Sequence, residues 1–248
     1  MTATATITMG RRAEMSPKTK ARLIGVLFLI TMVGGGFAQG FIGGKLISGD
    51  VSATATNILA HEPLYRLAFA IYLIEMACQI AMTVLMYDLL KPVSKSAALL
   101  AAVFELVGCT IKTLARLFFF APLLVLGGAD YLSVFDPKQL QALAFFSLRV
   151  NYTVETIAMV FFGLNALLTG YLVFRSTFLP RALGVVSVIG GLGWLIYLYE
   201  PLALRLEGYI VGVAVIGALA TVLWLLVKGV DEQRWKEQAV AATASIWR

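Results

Sequence analysis

Six stretches of mostly apolar residues follow one another along the chain, separated by short polar turns. A helix needs about 20 such residues to cross a bilayer, because it rises 1.5 Å per residue and the hydrocarbon core is about 30 Å thick. We predict membrane helices at residues 23–44, 64–90, 97–126, 137–174, 182–199 and 209–227. The pattern indicates an all-α fold, a polytopic membrane protein of six transmembrane helices with short amphipathic segments on the outer face.

Polar residues at the ends of these stretches predict where helices begin. Asp50 is suited to cap a short helix with one apolar stripe, formed by Val51, Ala55, Ile58 and Leu59. Asp136 followed by Pro137 is a second start signal, since proline suits the first helical position. The helix from Pro137 is longer than the hydrocarbon core, so its first turns, up to about Arg149, are expected outside it or along the interface.

Composition supports a single membrane domain. The chain is 60% hydrophobic and 14% charged, against about 25% charged in soluble proteins. We place a six-helix transmembrane domain at residues 21–228, between tails at 1–20 and 229–248. The stretch from Gly36 to Ala38 resembles a signal-peptide cleavage site, but apolar sequence continues past it, so we expect the first helix to be retained. Glycines spaced four apart, at 36, 40 and 44 and at 208 and 212, are expected to pack helices closely.

The net charge of +6 reflects membrane topology, because its distribution is one-sided. Thirteen of the 20 Lys and Arg residues fall in the tails and in alternate turns on one side, and four fall on the other. Positive residues concentrate on the cytoplasmic side, so we expect both termini in the cytoplasm. This arrangement argues against nucleic acid as a partner and leaves membrane lipids as the expected surroundings.

The third apolar stretch contains three charged residues, Glu105, Lys112 and Arg116. Each costs about 2.5–3.5 kcal/mol near the middle of a membrane if unpaired. Their spacings of seven and four place them on one helical face. That face is therefore expected to meet polar partners on neighbouring helices and to avoid lipid.

The turns on either side of this helix predict the partners. If the second and third helices form a hairpin about residue 93, Glu75 lies level with Lys112, and Cys78 lies level with Cys109. A second hairpin about residue 132 brings Glu155 close to the level of Lys112. We predict one buried network of ligand-binding or proton-relay candidates, mostly in the outward half of the bilayer: Glu75, Gln79, Glu105, Lys112, Arg116, Arg149, Asn151 and Glu155.

Several other chemistries lack their parts. His61 is the single histidine, so a histidine-ligated haem, a histidine-rich metal site and a Ser-His-Asp triad are excluded within the membrane. We predict no metal site and no cofactor. Cys78 and Cys109 suit a helix interface better than a redox pair, and His61 beside Glu62 suits the headgroup level better than a catalytic site. A retinal lysine at Lys112 is disfavoured, because seven helices would be expected.

Parts of the chain resemble an uncharacterised bacterial membrane family, domain of unknown function 4386 (DUF4386). The resemblance lies in Gly49-Asp50 leading into Asn57-Ile58-Leu59-Ala60, in Tyr87 to Val93, and above all in Leu179-Pro180-Arg181-Ala182-Leu183-Gly184 followed by Gly190-Gly191-Leu192-Gly193. It covers roughly residues 18–230. It implies a six-span protein of the bacterial inner membrane and supplies no activity. In the last of these stretches, Arg181 is expected at headgroups, and Gly184 is expected to allow close packing.

Three functions remain open for the charged network. The first is the binding or carriage of a lipid-like or small amphipathic anionic molecule, through a cavity open outward. In it, Arg116 and Lys112 take the anionic group, and Glu75 and Glu155 balance charge or move protons. The second is a membrane enzyme that uses Glu155 or Glu105 as general base on a lipid. The third is a structural or accessory subunit, in which the ion pairs only fix how the helices pack.

Overall fold

The computed structural model describes residues 15–244, which contain six helices long and apolar enough to cross a membrane. The helices that frame the fold are α1 (Pro17–Leu46), α2 (Val51–Ala60), α3 (Glu62–Leu90), α4 (Lys95–Leu126), α5 (Pro137–Arg175), α6 (Arg181–Leu195), α7 (Glu200–Val227) and α8 (Glu232–Ala244). All but α2 and α8 belong to the six spans, and a 3₁₀ turn at Ile196–Leu198 completes the span of α6. The all-α, six-span prediction is confirmed.

The predicted helix starts are confirmed by their caps. Asp50 accepts a hydrogen bond from the Ala53 N–H at 2.6 Å and begins α2. Asp136 accepts from the Gln139 N–H, and the Gln139 side chain accepts in return from the Asp136 N–H, both at 2.9 Å. This reciprocal box gives α5 a fixed start before its 39 residues, about 58 Å at 1.5 Å per residue.

Several boundaries differ from the prediction. The first membrane helix begins at Pro17, inside the expected tail, because Ser16 caps it through the Thr19 N–H. It also contains a π-helical stretch, Phe37–Gly43, rich in glycine. The last membrane helix begins at Glu200, nine residues earlier than expected, and most of the predicted C-terminal tail forms α8. Residues 1–14 and 245–248 of the predicted tails lie outside the described residues.

Helix α5 lies between α4 and α6, and the contact with α6 depends on glycine. A Cβ atom added at Gly184 would lie 2.6 Å from the carbonyl oxygen of Gly170, and one at Gly170 would lie 2.7 Å from the carbonyl oxygen of Gly184. Two helical turns away, the backbones of Gly163 and Gly191 approach each other in the same way. The expectation that Gly184 allows close packing is confirmed, since its backbone meets another backbone with no side chain between.

The other glycine strips do not pack within the chain. Space is open within 4 Å of a Cβ atom added at Gly36, Gly40 or Gly44, and the same holds at Gly208 and Gly212. The expectation that they bring helices together inside this bundle is therefore wrong. The stripe on α2 also differs, because Thr54, Ala55 and Ile58 are buried while Leu59 is 48% exposed.

Two apolar clusters occupy the two ends of the bundle. The cluster at the end that carries α8 contains Ile24, Leu89, Ala98, Leu172 and Leu225, from α1, α3, α4, α5 and α7. The cluster at the opposite end contains Ile58 of α2 together with Ile42, Tyr65, Tyr72, Phe119 and Leu148. On α3, α4 and α5 alike, the predicted charged residues lie between the residues of these two clusters.

Candidate functional site

Lys112 of α4 is buried and pairs with Glu75 of α3. Its Nζ donates to Glu75 Oε1 at 2.7 Å, and the two side chains are only 11% and 9% exposed. Glu75 lies against α1 at Gly35, where an added Cβ atom would be 3.3 Å from the carboxyl carbon. The pairing deduced from the hairpin between α3 and α4 is confirmed, and it places a compact ion pair where water is scarce.

Arg116, one turn further along α4, joins α3 and α5. It is 1% exposed, and its Nη2 forms an ion pair with Glu155 Oε1. Its Nη1 donates to Asn151 Oδ1 at 3.5 Å, a long hydrogen bond. The guanidinium carbon lies 3.6 Å from the centre of the Tyr72 ring, which favours the cation through the ring's negative face. Arg116 is thus fixed by contacts on its edge and on its plane.

Glu105 is held by an amide instead of a cation. Its Oε1 accepts from Gln79 Nε2 at 2.5 Å, and no ion pair to Glu105 is present among residues 15–244. The side chain is 7% exposed. On the same stretch of α4, the Asn165 amide donates to the Ala101 carbonyl at 2.8 Å and ties α5 to α4. We call Glu75, Gln79, Glu105, Lys112, Arg116, Asn151 and Glu155 the charged centre.

Some polar atoms of the charged centre have no hydrogen-bond partner within the described residues. They include Glu75 Oε2 and Arg116 Nε. Arg116 Nη2 and Glu155 Oε1 are close as an ion pair but do not meet the geometry of a hydrogen bond. A buried donor or acceptor left without a partner costs about 1–3 kcal/mol. These atoms are therefore the points at which a further polar group would be stabilised.

The charged centre is enclosed in this conformation. Ile58 of α2 packs with Tyr65, Phe119 and Leu148 on one side of it, and Leu89 and Leu172 pack on the other. The Tyr65 hydroxyl donates to the Phe119 carbonyl and closes this packing further. Apolar residues thus lie toward both ends from the charges, and the cavity open outward stays a prediction.

Not all predicted residues join the centre. Arg149 is exposed and its guanidinium lies 5.9 Å from the Tyr152 ring, away from Arg116. The reason is rotation: Arg149 lies two residues from Asn151, and hence about 200° around the helix. Cys109 is buried and Cys78 half-buried, both as free thiols. His61 contacts the Asn57 carbonyl of its own chain segment, at the exposed end of α2.

Three contributors to the site were missed from the sequence. Tyr72 and Phe119 cover Arg116, and Gly35 makes room for the Glu75 carboxyl group. Tyr72 could have been found from the sequence, because it lies three positions before Glu75 and hence on the same face of α3. No local signal marks Gly35 among the neighbouring glycines.

The search for relatives gives one clear result: residues 23–229 match the family model described as domain of unknown function (DUF4386). The chain belongs to the DUF4386 family. No curated protein and no solved structure matches it significantly. The matched range contains α2 to α7 and most of α1, so the whole charged centre lies inside the DUF4386 domain. The resemblance deduced from the Pro-Arg-x-Leu-Gly motif is confirmed.

Proposed function

We propose that this DUF4386 protein binds a small amphipathic molecule at the charged centre and carries it within the membrane, with Arg116 holding the anionic group. The observation behind the proposal is the state of Arg116: a guanidinium 1% exposed whose Nε donor has no acceptor. Arginine binds carboxylate and phosphate oxygens through paired, charge-assisted hydrogen bonds. An anionic oxygen is the partner that this donor lacks.

A second unpartnered atom restricts the ligand further. Glu75 Oε2 is a buried acceptor without a donor. A molecule that has an anionic group together with a hydroxyl or amino group would satisfy both atoms. The apolar clusters at either side, with Tyr72 and Phe119 closest, suit the apolar part of such a molecule. The composition of the site therefore favours an amphipathic ligand over an inorganic ion.

Charge balance supports movement of a proton with the ligand. The centre contains three carboxyl groups, Glu75, Glu105 and Glu155, against two cations, Lys112 and Arg116. Glu105 is the carboxyl group that takes part in no ion pair among the described residues, so it can bind or release a proton without breaking one. An added anion raises the negative charge, and proton uptake at Glu105 would compensate. We therefore expect tighter anion binding at lower pH.

The enzyme alternative is less well supported by the contacts. It requires Glu155 or Glu105 as a general base, which must reach the proton it removes. Glu155 is engaged by Arg116, and Glu105 accepts from Gln79. Burial of both carboxyl groups behind apolar clusters favours binding over a lipid-hydrolysing site, which needs access to water.

Mass spectrometry of molecules that copurify with the protein tests the proposal. Wild type and Arg116→Met are compared, with Arg149→Met as matched control, because Arg149 is an exposed arginine on a neighbouring helix. We expect one amphipathic anion to copurify with wild type and the control and to be lost from Arg116→Met. Size exclusion and thermal unfolding monitor folding, and Arg116→Lys, which keeps the charge, should retain part of the ligand. Identical ligand profiles in all four proteins would refute the proposal.

A further inference from the structure

A second polar site is present far from the charged centre, at the end of the bundle that carries α8. There the turn between α5 and α6 meets α8 and forms a cleft of about 360 Å³. Its lining is Arg175, Ser176, Thr177, Leu179, Arg181 and Arg234. We call this the arginine cleft; it brings together cations from the end of α5, the start of α6 and α8.

The cations of the arginine cleft are poorly balanced by carboxylates. Within residues 15–244, neither Arg175 nor Arg181 forms an ion pair. Arg234 pairs with Asp231 at 3.4 Å, but these side chains are 65% and 49% exposed, and such pairs contribute little. The cleft therefore presents positive charge that carboxylates of the described residues neutralise only in part.

The position of Arg181 strengthens this conclusion. It is the first residue of α6, where the unpaired N–H groups already make the helix end positive. A cation is disfavoured there unless an anion is nearby. Pro180 caps the helix without a side-chain acceptor, so the first turn of α6 adds N–H donors beside the three arginines.

The cleft is rigidly built by contacts with α8. Gln238 Oε1 accepts from both the Thr177 N–H and the Thr177 hydroxyl, each at 3.0 Å. The Asp231 N–H donates to the Phe178 carbonyl at 3.3 Å, and Arg234 Nη1 donates to the Thr177 carbonyl at 3.4 Å. The turn is thereby held against α8, and the arginine side chains project from a fixed backbone.

The geometry points to a phosphate-binding site in the arginine cleft, for the phosphate of an anionic lipid headgroup or of a small soluble phosphate compound. Arginines in a cluster bind phosphate oxygens with paired hydrogen bonds, and helix N-termini add N–H donors. The cleft lies where two membrane helices end, beside Trp235, whose Nε1 donates to the Leu89 carbonyl at 2.8 Å. Tryptophan favours the depth of lipid headgroups, so a lipid phosphate can reach the cleft from the bilayer surface.

The test measures phosphate binding by the full-length protein and is independent of the charged centre. Native mass spectrometry titrates the protein with phosphatidylglycerol and, separately, with zwitterionic phosphatidylcholine. Calorimetry in detergent titrates it with inorganic phosphate and with glycerol 3-phosphate. The variant Arg175→Gln/Arg181→Gln is compared with Lys95→Gln/Lys228→Gln, which removes the same charge from two exposed lysines at the same end of the bundle.

We expect the arginine variant to bind its anionic probe about tenfold more weakly, and the lysine variant to stay within about twofold of wild type. Loss confined to phosphatidylglycerol assigns a lipid, and loss confined to the soluble probes assigns a free phosphate compound. Arg181→Lys, which keeps the charge and folds with less risk, should weaken binding by an intermediate amount. Equal losses in the two double variants, or no binding by wild type, would overturn the site and leave only the general attraction of basic turns for anionic membranes.

Discussion

Replacing Lys112 by methionine removes one partner of its buried ion pair with Glu75. At the observed 2.7 Å, and with an effective dielectric constant of about 20, the two charges attract by about 6 kcal/mol. The stranded carboxylate can relieve itself by taking up a proton, which at pH 7 costs about 4 kcal/mol for an ordinary carboxyl group. Protonation costs less free energy than leaving the buried carboxylate charged and unpaired. We therefore expect Lys112→Met to lose about 3–4 kcal/mol of unfolding free energy.

The double variant Lys112→Met/Glu75→Met should recover most of that loss. Both charges are then absent, and apolar residues of similar size occupy a buried site at little cost. Each single variant leaves one buried charge without its partner, so the coupling free energy between the two positions, from a double-mutant cycle, is expected to be at least about 3 kcal/mol. The double variant should nevertheless lose ligand binding, because the Glu75 acceptor is gone.

Unfolding in mixed micelles, followed by circular dichroism, measures these free energies. Arg149→Met serves as control, since it deletes an exposed cation from the neighbouring helix α5 and should change stability by less than about 0.5 kcal/mol. Two results would refute the reasoning: Lys112→Met as stable as wild type, or single losses that add up fully in the double variant.

Three further predictions follow from other parts of the molecule. Gly184→Ala should destabilise by about 1–3 kcal/mol, because its Cβ would lie 2.6 Å from a backbone oxygen, whereas Gly190→Ala, with open space around it, should not; equal unfolding midpoints would contradict this. Reporter fusions at the C-terminus and within residues 128–136 should report opposite sides of the membrane, and signals from the same side would reject the six-span topology. Hydrogen bonds from Ser16 and from the Lys18 N–H hold the pKa of Glu232 below its usual range. Attachment of α8 should therefore be complete above the ordinary carboxyl pKa of about 4.3 and weaken as pH falls below it, seen as faster hydrogen exchange in α8; exchange unaffected by acid would disprove this contribution.

The existence of the six spans and the starts of several helices follow from the sequence, because they depend on local properties. A run of about 20 apolar residues is long enough to cross a membrane wherever it occurs, and Asp50, Ser94 and Asp136 each cap a helix through an N–H three residues ahead. The sequence also predicted that Lys112 pairs with a carboxylate, either Glu75 or Glu155, and the structure pairs it with Glu75. The short turns on either side of α4 bring both carboxylates near the level of Lys112, and an unpaired charge in lipid is too costly to tolerate.

The rotation of each helix about its own axis is set by packing and could not be predicted from the sequence. Gly36, Gly40 and Gly44 follow the four-residue spacing of a packing motif, yet no side chain or backbone lies within 4 Å of an added Cβ there. Gly170 on α5 and Gly184 on α6 belong to neither of the predicted glycine strips, yet they bring the two helices into backbone contact. The tertiary structure also placed Arg149 at the surface and put Gly35, Tyr72 and Phe119 around the centre.

The medium around the helices explains why their rotation could not be predicted. In water, an apolar face is buried and its pattern reveals which side of a helix faces inward. In a membrane, lipid tails and neighbouring helices are equally apolar, so the pattern of apolar residues does not distinguish the two faces. Charged residues such as Lys112 and Arg116 remain informative, because lipid rejects them strongly, whereas glycines and aromatic residues are accepted by both surroundings until the helices have packed.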